Sequence, residues 1–368
     1  MSQVIGVVTG GGDCPGLNAV IRSVAKSAMR QGWKAVGIVG GYEGLLTPQR
    51  TVALEGDLLS GLLVRGGTIL GTANQGKFSA KVGHGESRLL PVELLDETKR
   101  GCEQLGLSGL VSIGGDGSLA IAQQLFEHGI PIVGVPKTID NDLAATIMTF
   151  GFDSAVACAT DAVDRLHSTA ESHRRVMVLE VMGRYAGWIA IYAGVAGGAD
   201  VILIPEIPFS YESICAKVRE REQAGKLFTI VVVAEGARLA GADFVTSTNQ
   251  PENREARLGG IGAQVAQEIQ QRTGKESRSV VLGHLQRGGS PTNMDRALCT
   301  IFGAKAVELI AQQRFGEMVA FTGDKITSVP LLQAIGKLRT VPPDSGFVMA
   351  ARSLGICLGD ESPLPAIG

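Results

Sequence analysis

The stretch Pro131-Ile-Val-Gly-Val-Pro-Lys-Thr-Ile-Asp-Asn-Asp142 joins an apolar run to a polar loop. Residues 130–135 carry no polar side chain and predict a buried strand that ends at Pro136. The loop that follows concentrates a cation, a hydroxyl and carboxylates at Lys137, Thr138, Asp140 and Asp142. A purely structural turn does not need these groups together. Because ligands bind at the carboxyl ends of strands in open parallel sheets, the stretch predicts an α/β fold with a binding site at this loop.

Two earlier stretches repeat the combination of a strand with glycines. Val111-Ser-Ile-Gly-Gly-Asp-Gly-Ser118 runs from an apolar strand into glycines, an acid and a hydroxyl. Near the N-terminus, a β-branched strand at 4–9 leads into the glycine loop Gly10–Gly16 and an amphipathic helix at 17–29. This order is typical of phosphate binding, because glycines let the backbone and helix amides approach an anion. A tight turn is the alternative for the first loop, which is neither a Walker A loop nor a strict dinucleotide fingerprint.

Strands and helices alternate along most of the chain, and the strands are short and apolar. The predicted strands include 107–113 and 200–205, and the predicted helices include 119–128 and 295–313. No element is predicted between 205 and 228 or after 313. This alternation predicts doubly wound, mostly parallel, Rossmann-like sheets with helices on both faces. The number of predicted strands exceeds what one sheet usually holds, so two α/β domains are expected. The chain shows no clear linker, which indicates that it crosses between the domains more than once.

Composition excludes several classes of protein. The 368 residues are 45% hydrophobic and 19% charged, which is a globular composition. A formal net charge of −2 argues against a nucleic-acid or membrane-surface protein, since these are usually basic. The 50 glycines cluster after apolar runs and therefore indicate loop chemistry and not low complexity.

The cysteines and the N-terminus indicate a cytoplasmic protein. The 6 cysteines are scattered and form no Cys-x-x-Cys pair, so we interpret them as reduced thiols, mostly in the core. Cys14 lies in the glycine loop, where a redox-sensitive thiol is the alternative. The N-terminus enters a strand directly without a secretory signal, and no apolar run approaches the length of a membrane span.

The polar residues at the predicted strand ends form two groups of opposite charge. An acidic, glycine-lined group comprises Gly12, Asp116, Thr138, Asp140 and Asp142, and a cationic group comprises Arg175, Arg184, Arg278, His284 and Arg287. Phosphoryl transfer needs both, because carboxylates hold Mg²⁺ or take a proton while cations spread the transferring charge. The surplus of Arg suits a second, non-reacting phosphate on the substrate. Each residue also has a plainer interpretation, such as a helix cap at Asp13, a surface charge at Arg278 or core packing at Met182.

Taken together, the motifs resemble 6-phosphofructokinases of the bacterial type. The resemblance covers most of residues 4–310 and is carried by Gly-Gly-Asp13-x-Pro-Gly-x-Asn18, Gly-Gly-Asp116-Gly-Ser118, Pro136-x-Thr138-Ile-Asp140-Asn-Asp142, Glu180-Val-Met182-Gly-Arg184 and Gly-His284-x-Gln-Arg287-Gly-Gly-Ser-Pro291. It implies phosphoryl transfer to the 1-hydroxyl of fructose 6-phosphate, a glycolytic reaction. It also implies a larger donor-binding domain at 1–151 plus 286–336, and a smaller sugar-phosphate-binding domain at 152–285 plus 337–368, with the active site in the cleft between them.

The resemblance assigns roles to the matching residues. Asp140 would be the general base, supported by Thr138 and Asp142, while Asp116 would hold Mg²⁺ and Arg184 would stabilise the transferring group. Donor binding would fall to Gly12, Tyr42, Asn74, Gly115, Asp116, Gly117 and Ser118. Sugar-phosphate binding would fall to Arg175, Met182, Gly183, Arg184, Glu235, Arg278, His284 and Arg287. In the family, the residues that match Arg175 and Arg278 come from a neighbouring subunit, so a homo-oligomer, commonly a tetramer with shared active sites, is implied.

The donor signature is mixed. Gly117 matches the glycine that accompanies ATP in this family, whereas Lys137 matches pyrophosphate-dependent members. Asn74 and Gln75 replace an Arg-Phe pair whose Arg bridges the phosphates, and Lys137 would supply that charge as a compact ammonium. Ile121 stands where a glycine usually admits the adenine. We expect ATP as the donor, with ADP and pyrophosphate as alternatives.

Other features of the resemblance leave the regulation and the function class open. Arg22, Lys26 and His167 keep basic character where the family binds an allosteric effector, but the effector is not readable. The Gly-Gly-Asp-Gly-Ser motif also occurs in NAD kinases and lipid kinases, which lack the other motifs. A non-catalytic sugar-phosphate sensor is the remaining alternative, and the presence of Asp140 argues against it. The polar insertion at 240–257 and the tail after Pro342 carry no assigned role.

Overall fold

The computed structural model describes residues 3–73, 76–78, 89–243 and 258–361. Its strands, in chain order, are β1 (Val4–Thr9), β2 (Lys34–Ile38), β3 (Thr51–Ala53), β4 (Leu107–Gly114), β5 (Ile132–Pro136), β6 (Val176–Val181), β7 (Val201–Leu203), β8 (Thr229–Ala234), β9 (Ser277–Val281), β10 (Glu317–Phe321) and β11 (Ile326–Pro330).

The helices are α1 (Leu17–Arg30), α2 (Val92–Gln104), α3 (Asp116–Glu127), α4 (Phe152–His173), α5 (Trp188–Ala196), α6 (Tyr211–Gln223), α7 (Ile261–Thr273), α8 (Asn293–Ala311), α9 (Leu331–Ala334) and α10 (Gly346–Ser353). Short 3₁₀ helices lie at Gly41–Leu45, Gly56–Leu59, Leu62–Val64 and Gly283–Arg287. None of the helices in the described part of the chain has the length and apolarity needed to span a bilayer.

The chain divides into two compact units. Unit 1 comprises Met1–Ser154 and Arg287–Leu338, and unit 2 comprises Ala155–Gln286 and Arg339–Gly368. Each unit is therefore built from two separate pieces of sequence, and α4 runs across the first boundary.

Unit 1 contains a 7-stranded sheet in the order β11-β10-β5-β4-β1-β2-β3. Its central strands are parallel, and antiparallel pairs at β10–β11 and β2–β3 close the two edges. Parallel strands buried on both faces explain the apolar run of β5 and the nearly apolar run of β1, which ends in Thr9. Gly6 in β1 leaves room for Leu107, which lies 2.8 Å from the position that an added Cβ would take. The carboxyl ends of β1, β4 and β5 are therefore neighbours at one edge.

Unit 2 contains a parallel 4-stranded sheet in the order β7-β8-β6-β9. β6 and β8 are buried along their whole length. β9 is the edge strand, and Val280 and Val281 are 37% and 55% exposed there. The buried Glu180 of β6 accepts hydrogen bonds from the backbone N–H groups of Gly260 and Gly262 at the start of α7.

The predicted α/β class is confirmed, with some differences in the elements. α3 begins at Asp116, three residues before the predicted start at Leu119, so the acid and hydroxyl of the Gly-Gly-Asp-Gly-Ser motif belong to its first turn. The strand predicted at 200–205 is shorter, at Val201–Leu203. Helix α6 and the elements after residue 313 were not predicted. Residues 244–257, most of the predicted insertion, lie outside the described residues.

Candidate active site

Three loops of unit 1 meet where β1, β4 and β5 end. The backbone N–H of Gly10 donates to the carbonyl of Ile113 at 2.9 Å, and that of Lys137 donates to Gly114 at 2.9 Å. The adjacent loops border a cavity of about 240 Å³. Its lining comprises Gly11, Gly12, Ala73, Phe78, Gly115, Asp116, Gly117, Ser118, Lys137, Thr138 and Arg287. The predicted donor-side glycines and the predicted catalytic loop thus share one cavity.

Glycine is required where the loops approach one another. A Cβ on Gly12 would lie 3.0 Å from the guanidinium of Arg287, and a Cβ on Gly114 would lie 2.3 Å from the Cβ of Ser118. Gly11 has a φ of 75°, in the left-handed region that favours glycine. The glycines therefore bring backbone amides and cationic side chains to the cavity without blocking it.

Lys137 is buried beneath the first glycine loop, with 4% of its surface exposed. Its ammonium donates a hydrogen bond to the carbonyl of Gly12. Burial lowers the pKa of Lys137, and the Arg287 guanidinium acts in the same direction, whereas the carboxylates of Asp13 and Asp140 oppose the change. The Lys137 ammonium therefore links the acidic loop to the glycine loop and is largely shielded from solvent.

The acidic loop brings Asp140 and Asp142 close enough to influence each other. Burial and then the neighbouring Asp140 carboxylate raise the pKa of Asp142 well above its ordinary value, and the more distant Asp116 adds to the effect. A hydrogen bond from the hydroxyl of Thr138 to Asp142 opposes it. The same hydroxyl oxygen accepts from the backbone N–H of Asp140 at 3.2 Å. Burial and the charge of Asp140 together therefore favour a protonated Asp142 over a pair of ionised carboxylates.

Asp116 lies at the N-terminus of α3, on the wall of the cavity. Its Oδ1 accepts a hydrogen bond of 3.0 Å from the backbone N–H of Gly336. Burial raises the pKa of Asp116, and this hydrogen bond opposes the change. Among the described residues, no group of three or more His, Cys, Asp or Glu is placed to hold a metal. A single carboxylate on the wall of this cavity still fits Mg²⁺, which commonly uses one or two carboxylates plus phosphate oxygens.

The predicted donor-side aromatic, Tyr42, is only 4% exposed. Its hydroxyl is held by Ser112 at 2.5 Å and donates to the carbonyl of Ser118 at 2.9 Å. Its ring packs against Phe78, with centroids 5.5 Å apart. Phe78, which sequence reasoning did not single out, presents the aromatic surface on the wall of the cavity. Asn74, which is also predicted to contact the donor, lies outside the described residues.

The site residues predicted to bind the sugar lie in unit 2, apart from Arg287. The backbone N–H of Gly236 donates to the carbonyl of Gly183 at 3.1 Å, and that of Glu235 donates to Val181 at 2.8 Å. Gly183 has a φ of 136°. These bonds bring the loop of Met182, Gly183 and Arg184 beside Glu235. A residue without an assigned role, Gln286, is fully buried, and its side-chain oxygen accepts from the backbone N–H of Met182 at 3.3 Å.

The cationic group divides in the structure. Glu276 is an ion-pair partner of both Arg175, at 3.2 Å, and Arg278, at 2.7 Å. His284 is exposed on the 3₁₀ helix at Gly283–Arg287. Arg287, predicted with them as a phosphate ligand, belongs to unit 1 and donates to the carbonyl of Asp13 at 3.2 Å, on the wall of the cavity. The structure thus brings Arg287 together with the glycine loops and Lys137.

The structure also bears on the alternatives for Cys14 and Asp13. Cys14 is fully buried, and burial raises the pKa of its thiol to about 12, which leaves almost no reactive thiolate. This burial argues against the alternative of a redox-sensitive Cys14. Asp13 does not cap α1, because the capping residue is Gly16 and it makes no side-chain capping bond.

Comparisons with known proteins agree with this geometry. The chain is 54% identical over 359 residues to an ATP-dependent 6-phosphofructokinase of Chloroflexus aurantiacus, with 98% of each chain covered. It is 50% identical over 344 residues to a pyrophosphate–fructose 6-phosphate 1-phosphotransferase of Amycolatopsis methanolica, with 92% of this chain and 96% of the relative covered. Among solved structures, a pyrophosphate-dependent phosphofructokinase of Marinobacter aquaeolei has the same fold, with a TM-score of 0.79, 22% identity and coverage of 99% and 94%. Since residues 4–310 also match the family described as phosphofructokinase, the chain belongs to the phosphofructokinase family.

Proposed function

We propose that this protein transfers a phosphoryl group from ATP to the 1-hydroxyl of fructose 6-phosphate, giving fructose 1,6-bisphosphate in glycolysis. The observation that carries the proposal is the cavity of unit 1, where glycine loops, Asp116 and Lys137 share a wall with the loop of Asp140. The names of the relatives at about half identity support the substrate and the reaction.

In the proposed mechanism, Asp140 is the general base. It takes the proton of the acceptor hydroxyl as that oxygen bonds to phosphorus and the bond to the leaving phosphate breaks. Thr138 and Asp142 hold the base in place, because the Thr138 hydroxyl contacts both acidic residues. Arg184 and Lys137 stabilise the charge of the transferring group.

The donor is assigned to the cavity of unit 1. Gly12, Gly115, Gly117 and Ser118 line its polar part, with Tyr42 behind Phe78 on the aromatic side. Asp116 would hold Mg²⁺, which when bound neutralises charge on the donor phosphates. Lys137 and Arg287 bring two positive charges to the same wall. Asn74 remains a proposed donor contact on the grounds of the resemblance alone.

On the grounds of the resemblance, the sugar phosphate is assigned to the residues that match the sugar-binding motifs of the family. Met182, Gly183 and Glu235 would contact the sugar, and Arg175, Arg278, His284 and Arg287 would bind the 6-phosphate. Arg suits this role because its planar fork matches a phosphate. We further propose a cytoplasmic homo-oligomer, a tetramer with shared sites, in which Arg175 and Arg278 serve a neighbouring subunit. The exposed valines of edge strand β9, next to Arg278, support such an interface.

Pyrophosphate is the second candidate donor, and two observations favour it. One relative is named as a pyrophosphate-dependent enzyme, and Lys137 places a buried cation at the cavity. ATP is preferred because Gly117 adds no carboxylate there and the relatives from Chloroflexus and Synechocystis are named as ATP-dependent.

The test is a coupled assay of fructose 1,6-bisphosphate formation with fructose 6-phosphate and equal concentrations of ATP, ADP or pyrophosphate. We expect the kcat/KM with ATP to exceed the kcat/KM with each other donor by at least about tenfold. This is the lower end of the discrimination that one small difference between substrates provides. Preference for pyrophosphate or ADP would replace the proposed donor. Absence of turnover with every donor would refute the enzyme function.

A further inference from the structure

The loop that carries the two acids is tied down by the residue between them. Asn141 separates Asp140 from Asp142 in the sequence, and only 2% of its surface is exposed. Its φ is 51°, in the left-handed region. Asparagine tolerates this conformation better than most other residues with a side chain. The backbone therefore turns sharply at Asn141, and this turn sets the directions in which the two neighbouring carboxylates leave the chain.

The side chain of Asn141 reaches across the loop to residues 147–149. Its Oδ1 accepts from the backbone N–H of Thr149 at 3.0 Å, and its Nδ2 donates to the carbonyl of Ile147 at 3.3 Å. Thr149 is fully buried, so its N–H cannot find a water molecule in place of the asparagine. The turn at Asn141 is thereby fixed to a separate piece of the chain.

Thr149 also holds the loop on the N-terminal side of Asp140. Its hydroxyl donates to the carbonyl of Thr138 at 2.6 Å. The side chain of Thr138 in turn contacts both acidic residues. The loop is thus held at Thr138 and at Asn141, that is, on either side of Asp140, and both attachments converge on Thr149.

We propose that Asn141 and Thr149 are positioning residues that aim Asp140 and Asp142 at the reacting hydroxyl. This inference rests on the proposed function, in which Asp140 is the base. Both side chains are buried and bonded to other parts of the same segment, so neither is expected to touch a substrate. A displacement of the base by about 1 Å is enough to reduce turnover strongly, while the binding groups on other loops stay in place. Substitution of either residue should therefore change kcat far more than the KM for fructose 6-phosphate.

Two substitutions test the pair. Thr149→Val keeps the shape and removes the hydroxyl, and Asn141→Gly keeps the left-handed backbone and removes the side chain. We expect kcat per folded molecule to fall about tenfold for Thr149→Val and about 100-fold for Asn141→Gly, with the KM for fructose 6-phosphate within about twofold of wild type. Thr149→Ser keeps the hydroxyl and should restore kcat to within about threefold of wild type.

A matched control lies in the same segment. Thr146 is also buried, but its hydroxyl bonds to the carbonyl of Met148 and accepts from the backbone N–H of Phe321, away from Thr138. Thr146→Val should lower thermal stability and leave kcat per folded molecule unchanged. If Thr149→Val and Asn141→Gly also change only the folded fraction, the positioning role is overturned while the proposed function stands. A wild-type protein without turnover would overturn both.

Discussion

At the scale of single residues, the most informative side chain is Lys137. It is a buried cation that bonds to the glycine loop, and we assign it to the transferring phosphoryl group. Lys137→Met keeps the length of the side chain and removes the charge. We expect kcat to fall by about 100-fold, as when one donor to a developing charge is removed, with the KM for fructose 6-phosphate within about twofold. Steady-state kinetics with saturating donor measure both constants.

Lys325→Met serves as the control for this change, because the Lys325 side chain is 78% exposed on unit 1 and should leave both constants unaltered. A loss that appears only in KM would move Lys137 from the transferring group to ground-state binding of a substrate.

A second residue, Asp295, makes the stability of the fold depend on pH. Asp295 is fully buried and accepts from the N–H groups of Gly151, at 3.0 Å, and Ser154, at 2.9 Å. Burial raises the pKa of Asp295 to about 6, and these hydrogen bonds limit the rise. Between pH 4 and 6 the folded state therefore binds more protons than the unfolded state, and this group reduces stability as the pH rises.

Asp295→Asn removes that titration. We expect the wild type to lose stability relative to Asp295→Asn as the pH rises from about 4 to about 6, by up to roughly 3 kcal/mol. The variant has a constant penalty of its own, because an amide nitrogen meets backbone donors. Urea denaturation at several pH values measures the difference between the two proteins. A difference that does not change with pH contradicts the assignment.

The sequence predicts the position of a residue well where that residue directly follows a strand. Asp116, Thr138, Lys137 and Asp140 stand next to strand ends, so the motif and the geometry coincide. Gln286 and Thr149 were missed because their partners are 104 and 11 residues away, and no local pattern records such bonds. Phe78 was missed for a similar reason, since its position on the cavity wall depends on the packing of Tyr42.

At the scale of elements, the N-terminus of helix α7 is held by a carboxylate of strand β6. Glu180 is 2% exposed and accepts hydrogen bonds from the backbone N–H groups of Gly260, at 3.2 Å, and Gly262, at 2.8 Å. A negative charge at a helix N-terminus is favourable, and hydrogen bonds to charged groups are strong. Glu180→Gln should therefore reduce the free energy of unfolding by about 2–3 kcal/mol. Glu268→Gln changes an exposed ion pair of the same helix and should cost about 0.5 kcal/mol or less.

Thermal unfolding of both variants checks this prediction. Equal midpoints for Glu180→Gln and Glu268→Gln would show that the buried carboxylate does not stabilise α7.

Most elements were predictable because a strand buried on both faces is apolar throughout. Helix α6 was missed because its few buried positions, such as Ile214 and Val218, are diluted by charged residues. The antiparallel direction of β11 depends on the turn between Thr322 and Lys325, which carries no strong local signal.

At the scale of the whole molecule, the proposal of shared sites makes a mixing prediction. Asp140→Asn subunits keep Arg278, and Arg278→Ala subunits keep Asp140. If neighbouring subunits complete each site, hybrids formed by refolding the two inactive variants together should regain roughly a quarter of the wild-type activity. If each chain supplies its own site, the mixture stays as inactive as its parts.

The chain-level architecture was only partly predictable. The α/β class follows from the alternation of elements. The proposed assembly is argued from the exposed valines of β9, and the sequence does not show that β9 is an edge strand.

The most direct test of the account is the turnover number of Asp140→Asn beside that of the wild type, with fructose 6-phosphate binding measured on the same samples. The change removes a base and keeps the shape, so we expect fructose 1,6-bisphosphate formation to fall by about 10²–10⁴-fold with sugar-phosphate affinity nearly unchanged. Turnover close to that of the wild type would contradict the central claim that this carboxylate takes the proton of the reacting hydroxyl.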